Sequence, residues 1–402
     1  MSPIVVVFLT VVLDLVGFGI VIPLLPFYAE AFHATPLQVT LLMACFSAAQ
    51  FLVAPVMGQL SDRVGRRPVL VASIGLTAVM LAAFASAKAL WMLFLFRTLH
   101  GAMTANISTA QACMADLTTP ENRAKGMGLI GAAFGIGFTI GPFVGGELYA
   151  FAQDSPGWQS TGLLPFVLPL GFAAFLSFVD FLLAWRWLPE TRHPGSARSE
   201  RSISPATLVR AFAHPGAGLC IALAFAQVFA FAMMESTFTL FAEREHAMTP
   251  RDVGRMFGLV GVVGIVVQGG LIGRVVKRWG ERPLVPLGLA TMAVALVALP
   301  FAPRGVWMQL DFAVLAVGQG LTTPSVNALI SRATGPDEQG AVLGSSQSMG
   351  ALARATGPAL GGVLFERLSH AAPFWSSAVL LALAAVFAVP ATARAVAYGR
   401  RR

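Results

Sequence analysis

The chain has 402 residues, of which 56% are hydrophobic and only 11% are charged. Soluble domains carry about 25% charged residues, so this balance excludes a soluble enzyme and a disordered protein. The net charge of +8 comes from basic residues spread thinly along the chain. Because there is no long basic run, a nucleic-acid-binding protein is also excluded, and the composition predicts a protein that crosses a membrane several times.

Apolar runs separated by short polar breaks predict twelve transmembrane spans, since a helix needs about 20 residues to cross a bilayer. In chain order, spans 1 to 12 are 4–28, 37–60, 68–87, 90–114, 126–149, 162–188, 216–242, 252–273, 284–302, 306–331, 340–365 and 372–394. The longest break, 189–215, is rich in Arg, Ser, Pro and Gly. It is predicted to be a cytoplasmic linker between an N-terminal bundle, 1–188, and a C-terminal bundle, 216–402.

The charges between the spans predict the orientation. If the N-terminus is cytoplasmic, most of the 27 basic residues fall in cytoplasmic loops, as the positive-inside rule requires. Both termini are then cytoplasmic. The first apolar run has no basic segment before it and carries Asp14 in its middle. It is therefore predicted to be a retained span and not a cleaved signal peptide.

An internal repeat supports two six-helix bundles. The pattern Gly-x6-Gly-x2-Pro follows span 2 from Gly58, and it recurs after span 8 from Gly273, 215 residues later. The sequence Gly-Pro-x-x-Gly-Gly begins at Gly141 in span 5 and recurs from Gly357 in span 11, 216 residues later. Two unrelated patterns that recur at nearly the same spacing predict two repeats of the same orientation in the membrane. Each such repeat must contain an even number of spans.

Ionisable residues inside the spans are functional candidates, because a charge in hydrocarbon is costly. Asp14 in span 1 is a candidate for proton or substrate coupling, or a structural carboxylate with a neighbouring donor. Span 4 carries polar residues at helical spacing, which predicts that they line a cavity or join helices. They are Arg97, Gly101, Thr104, Ser108 and Gln111, with His100 and Asn106 beside them.

Span 11 has a similar stripe that contains Gln347 and Arg354. A guanidinium keeps its charge, so Arg354 requires a carboxylate, carbonyl groups or an anionic substrate, and Glu235 in span 7 is its natural counter-charge. Asp180, about two turns from the end of span 6, is expected to pair with the linker arginines. Three further residues are candidates for substrate contact or helix-joining hydrogen bonds: Gln50, Gln227 and Phe231.

No catalytic or metal-binding pattern is present in the sequence. It lacks a G-x-x-x-x-G-K-[ST] phosphate loop and an H-E-x-x-H motif, and its 6 histidines and 3 cysteines are scattered. The chain is therefore predicted not to be an enzyme and to use no metal or cofactor. Any uphill transport would take its energy from an ion gradient.

Several motifs resemble those of the major facilitator superfamily. The segment Gly58-Gln-Leu-Ser-Asp62-Arg63-Val-Gly65-Arg66-Arg67-Pro68 resembles its signature between the second and third helices. Arg97 with Gly101, and the Asp14-x-x-Gly17-x-Gly19 pattern, are similar to motifs of its drug:proton antiporter branch. The antiporter signature of that branch is similar to a segment containing Gly131, Gly135, Gly141, Pro142, Gly145 and Gly146. The resemblance covers 4–394 and is strongest to tetracycline/proton antiporters and their relatives.

The resemblance implies an all-α membrane protein whose two bundles open alternately to each side of a central site. Asp14, Arg97, Glu235 and Arg354 carry over as the central charges. The cytoplasmic gate carries over to Gly58, Asp62, Arg63, Gly65, Arg66, Arg67 and Asp116. In the second repeat, Lys277 stands where Asp62 stands and Glu281 stands where Arg66 stands, so these charges are inverted.

The leading functional hypothesis is a secondary transporter that exports a small amphiphilic compound in exchange for protons. It is expected to be a monomer in a bacterial plasma (inner) membrane, with the substrate, protons and the lipid bilayer as its only partners. Tetracycline exporters carry an extra acid in their third helix, where this chain has Val79, so an anionic or zwitterionic substrate stays open. The alternatives are a proton-coupled organic-anion importer or uniporter, and a lipid flippase.

Overall fold

A computed structural model describes residues 2–119, 122–191, 211–334 and 336–401. Within these ranges, residues 106, 123–125, 336–341 and 399–401 are described by their backbone alone. The regular structure of the described ranges is helical, as predicted. The predicted linker 189–215 lies largely outside the described residues, which exclude 192–210.

The helices of the first half of the chain follow the six predicted spans. They are α1 (Pro3–Val21), α2 (Leu25–Glu30), α3 (Pro36–Val64), α4 (Arg66–Ala85), α5 (Leu90–Met103), α6 (Ile107–Asp116), α7 (Arg123–Asp154), α8 (Pro156–Gln159) and α9 (Val167–Trp187). Span 4 differs from its prediction, because a 3-10 turn at Thr104–Asn106 separates α5 from α6.

The helices of the second half follow spans 7 to 12. They are α10 (Gly218–His246), α11 (Pro250–Val266), α12 (Ile272–Trp279), α13 (Leu284–Ala298), α14 (Val306–Ala333), α15 (Pro336–Arg367) and α16 (Ala372–Arg401). A π-helical turn at Val267–Leu271 joins α11 to α12 within span 8.

Ten helices of the described chain are long and apolar enough to cross a membrane. They cover every predicted span except spans 4 and 11. Span 4 is broken into α5 and α6, and α15 carries many polar and small residues along its length. The ten candidates establish a multi-pass architecture, while twelve crossings and cytoplasmic termini stay predictions.

The described chain forms two compact units. One contains residues 1–200 together with 242–261, and the other contains 201–241 together with 262–402. The last turn of α10 and the first part of α11 therefore pack with the N-terminal helices. The proposed bundle boundaries at 188 and 216 stay predictions.

In the first unit, α1 and α7 approach one another through glycines. A Cβ atom added to Gly19 would lie 2.8 Å from the Gly137 carbonyl oxygen. One added to Gly141 would lie 2.7 Å from the Val16 carbonyl oxygen. Since these neighbours are backbone atoms, the contact can form only where side chains are absent. The predicted antiporter motif is thus a helix-packing surface at Gly141, whereas Gly131 has no neighbour within 4 Å of an added Cβ.

The second unit repeats this packing with α10 and α15. A Cβ added to Gly357 would lie 2.8 Å from the Phe229 carbonyl oxygen, and one added to Gly361 would lie 2.8 Å from the Met233 Cγ atom. Because Gly357 corresponds to Gly141 in the sequence repeat, the two units use the same device to bring their first and fifth spans together.

We predict opposite effects for two glycine substitutions on α7. Gly141→Ala should lower the free energy of unfolding by about 1–3 kcal/mol, because the new methyl group overlaps the α1 backbone. Gly131→Ala should leave it unchanged or raise it by up to about 1 kcal/mol, because alanine favours the helix. Thermal melting of the purified variants in detergent measures both. Equal melting temperatures would contradict the packing assignment.

Candidate functional site

The loop between α3 and α4 turns at Gly65, as its signature predicts. Gly65 has a φ of +119°, a backbone conformation that side chains rarely adopt. A Cβ there would also overlap the carboxylate of Glu190. This carboxylate accepts hydrogen bonds from the backbone amides of Arg66 at 2.9 Å and of Arg67 at 3.2 Å. Glu190 therefore caps the start of α4, where the helix dipole favours an anion.

The predicted gate charges meet on the same loop. Arg66 donates to Asp62 and contacts the Asp116 carboxylate with its Nε at 3.4 Å. Arg67 donates to the Trp185 carbonyl oxygen at 2.8 Å. The structure thus brings Asp62, Arg66 and Asp116 together. It adds Glu190, which the sequence analysis missed although the acid follows span 6 directly.

Two further predicted gate residues are Gly58 and Arg63. A Cβ added to Gly58 would meet nothing within 4 Å, so the structure gives no packing reason for a glycine there. The Arg63 side chain is exposed on the last turn of α3. Their gate role stays a prediction.

The second repeat contains a gate pair of inverted charge. Glu281 is only 8% exposed, and it accepts from Arg332 Nη2 at 2.6 Å. In the sequence repeat, Glu281 corresponds to Arg66, and Arg332 corresponds to Asp116. The loop glycine before it, Gly280, also has a positive φ, +75°. Each unit therefore joins the same two repeat-related positions by an ion pair, and the charges at these positions are opposite in the two units.

Asp14 lies at the centre of α1 and is buried, with 9% of its surface exposed. Among the described residues, no basic side chain forms an ion pair with it. Arg97, another of the predicted central charges, lies over aromatic rings. Its guanidinium carbon is 4.3 Å from the Phe46 ring centroid and 5.4 Å from that of Phe18. Cation–π contact with desolvated rings stabilises a buried arginine.

Thr104 and Ser108 of span 4 donate to carbonyl oxygens of their own span. Gln50 on α3 donates to the Thr104 carbonyl oxygen at 3.2 Å, at the turn between α5 and α6. The Arg97 Nη1 atom is 3.4 Å from the His100 Nδ1 atom. This supports the alternative of hydrogen bonds between helices for Gln50. The side chain of Asn106 lies outside the description.

The central candidates of the second unit lie on α10 and α15. Glu235 and Arg354 are both partly buried and close enough to interact electrostatically, as the sequence analysis expected. Gln227 is buried and donates to Thr323 Oγ1 at 2.8 Å, so it joins α10 to α14. Phe231 is partly buried, and Gln347 is exposed.

The other face of α7 meets the start of α11 within the first unit. Glu147 accepts from Arg251 Nη2 at 2.8 Å and from Arg255 Nε at 2.7 Å. A Cβ added to Gly146 would lie 2.8 Å from the Pro250 carbonyl oxygen. The motif residues Pro142 and Gly146 therefore pack on α11. The sequence analysis missed Glu147, although it directly follows the Gly145-Gly146 pair.

The described chain thus combines apolar helices long enough to cross a membrane, ionisable side chains buried within them, and charge clusters where the helices end. Among the described residues, no group of three or more His, Cys, Asp or Glu residues could hold a metal ion. A family model described as Major Facilitator Superfamily matches residues 7–358 and, in a second match, 269–399.

The chain belongs to the Major Facilitator Superfamily. The resemblance found in its motifs is thereby confirmed. Members of this superfamily are transporters of small molecules in membranes, so the chain is an integral multi-pass membrane transporter and not an enzyme.

The chain is similar to several known members of the superfamily. It is 31% identical over 390 residues to the tetracycline resistance protein, class C, of Escherichia coli, covering 94% of this chain and 93% of the relative. It is 28% identical over 355 residues to multidrug resistance protein 2 of Bacillus subtilis, covering 88% and 86%. Its fold matches the crystal structure of the human organic anion transporter MFSD10 (TETRAN) with a TM-score of 0.72 and 26% identity, covering 96% and 99%.

We predict that exchanging both charges of the Glu281–Arg332 pair restores the stability that a single charge change removes. Arg332→Glu should destabilise the protein, because it leaves Glu281 facing a like charge in a buried position. Glu281→Arg combined with Arg332→Glu should recover stability, with a coupling energy of about 0.5–3 kcal/mol. A double-mutant cycle of melting curves measures the coupling. Strictly additive effects would contradict the pairing.

Proposed function

We propose that this member of the superfamily exports small amphiphilic compounds from the bacterial cytoplasm in exchange for protons. The observation that carries the proposal is Asp14, a carboxyl group that is 9% exposed at the middle of α1. An ionised carboxylate there is costly, so the group is suited to take up and release protons. Asp14 is the proposed proton carrier, and the proton gradient is the proposed energy source.

The proposed substrate class is inferred from the aromatic side chains beside Arg97 and from the relatives. Phe18 and Phe46 pack beside Arg97, so aromatic rings and a fixed positive charge lie together inside this unit. Such an arrangement suits a molecule with an apolar body and one polar or anionic end. The similarity to tetracycline and multidrug resistance proteins supports a drug-like compound of this kind.

The proposed cycle requires one gate to open while the other closes. The cluster of Asp62, Arg66, Asp116 and Glu190 is the proposed cytoplasmic latch of the first unit. Glu281 and Arg332 are the proposed latch of the second. We place both at the cytoplasmic side because the basic loops predict that orientation. The proposed working form is a monomer in the inner membrane.

A second candidate function is proton-coupled transport of an organic anion into the cell. Arg354, with Glu235 within electrostatic range, could release its counter-charge to bind an anionic substrate. The similarity to a human organic anion transporter favours this candidate. The two functions differ in the direction in which substrate moves relative to protons.

We predict that proteoliposomes with an acidic interior accumulate tetracycline. In exchange transport, protons leave the acidic compartment and the substrate moves into it. Import coupled to protons gives the opposite sign: vesicles with an acidic exterior would accumulate p-aminohippurate, an organic anion. Radiolabelled uptake, with and without a protonophore, distinguishes the two. Uptake of every compound tested that is indifferent to the pH gradient would contradict proton coupling itself.

A further inference from the structure

α1 and α9 of the first unit place four polar side chains against one another in an apolar contact. Thr10 and Asp14 lie one turn apart on α1, and Ser177 and Asp180 lie one turn apart on α9. A Cβ added to Gly17, the next residue on this face of α1, would lie 3.5 Å from Ser177 Oγ.

The register of the two helices places Asp14 inside this group. Gly17 faces Ser177, and the Thr10 hydroxyl lies beside the Asp180 carboxyl. Asp14 is one turn from both Thr10 and Gly17, so it lies opposite the segment between Ser177 and Asp180. Its charge acts on Asp180. The sequence analysis expected Asp180 to pair with arginines of the linker, which lie outside the described residues.

The group is closed to solvent at Asp180 and slightly open at Asp14. Asp180 is 0% exposed, and Asp14 is 9% exposed. Both carboxyl oxygens of Asp180 and the hydroxyls of Thr10 and Ser177 are buried, and none makes a regular hydrogen bond to another residue of the described chain. Buried polar atoms in native proteins are nearly always partnered, and a proton held on a carboxyl would let that group donate to its polar neighbours.

Two neighbouring carboxyl groups in an apolar site do not both ionise, because each charge disfavours the other. We propose that Asp14 and Asp180 form one shared proton-binding site, in which Asp180 retains a proton and Asp14 exchanges protons with water. This inference rests on the proposed proton coupling and names the place where the proton is held. Thr10 and Ser177 supply hydroxyls that can donate to whichever carboxyl is ionised.

Arg97 on α5 lies over the Phe18 ring, one turn along α1 from Asp14. The ionisable groups of α6, α4 and α7 lie toward the ends of their helices. On α6, Cys113 and Asp116 interact with Arg66, Thr191 and Glu190 at the helix ends. α4 contributes the hydroxyls of Ser73 and Thr77, and its basic residues, Arg66 and Arg67, are held at the loop. Among the described side chains of α7, the ionisable groups are Glu147, Tyr149 and Asp154, toward its far end.

Infrared spectroscopy of the full-length protein tests the site without a substrate. The wild type should show a protonated aspartic C=O band at neutral pH that shifts in D₂O and on ¹³C labelling of aspartate. Asp180→Asn should abolish most of that band, and Asp14→Asn should shift it. Asp154→Asn, at an exposed residue, is the matched control and should leave the band unchanged. An unaltered band in Asp180→Asn would overturn the proposal.

Two further measurements keep the outcome decisive. Ser177→Ala should move the band without removing it, which covers the case in which Asp180→Asn does not fold; an unmoved band would contradict the site. Replacing choline by Na⁺ in the buffer should leave the infrared band unchanged. Loss of the band in Na⁺ would mean a metal-cation site and overturn the proposal.

Transport that is indifferent to the pH gradient, with an intact band, would refute the proposed function alone. Gradient-driven transport without the band would refute this site alone.

Discussion

In each unit, two helices approach so closely that a single added methyl group would force them apart. Gly141 of α7 lies against the backbone of α1, and Gly357 of α15 lies against the backbone of α10. Other features depend on this contact, because it fixes the rotation and depth of the helix that carries a central charge. Asp14 lies on α1, and Glu235 lies on α10. Without a hydrophobic drive between helices in lipid, such close packing of small residues holds a bundle together.

The buried charged side chains have different surroundings in the two units. In the first, Arg97 lies over aromatic rings while Asp14 lies beside the α9 segment that carries Asp180. In the second, Glu235 and Arg354 are within electrostatic range of each other. On the proposed account, the first arrangement serves the proton and the second would suit an anion. The ion pairs at the loops carry the same asymmetry, since Glu281 and Arg332 reverse the signs of Arg66 and Asp116.

Much of this architecture could be predicted from the sequence because it depends on patterns repeated along the chain. Hydropathy placed the apolar helices, and the offset between Gly141 and Gly357 predicted the repeat that the packing confirms. The loop charges Asp62 and Arg66 belong to a sequence motif, and the family resemblance added Asp116; the structure brings the three together. Contacts between distant residues were not predictable in this way. Glu190 caps α4 and Glu147 binds two arginines of α11, and neither interaction leaves a local pattern.

The sequence also could not show breaks and partners that depend on packing. The 3-10 turn at Thr104–Asn106 follows no Pro or Gly in the turn itself, yet it divides span 4. The predicted pairing of Asp180 with the linker arginines lies outside the described residues, and the sequence did not indicate that Asp180 also lies beside Thr10 of α1, across the helix contact. Such pairings are set by the rotation of helices about their axes, which hydropathy does not encode.

The central claim is that α1 carries the proton and that substrate passage is a separate step. Asp14→Asn tests it most directly, since it removes the exchangeable proton and retains the shape of the side chain. We predict that proteoliposomes with this variant still exchange labelled for unlabelled tetracycline at equal pH but no longer accumulate it against a gradient. Accumulation at the wild-type level in an acidic interior would contradict the account.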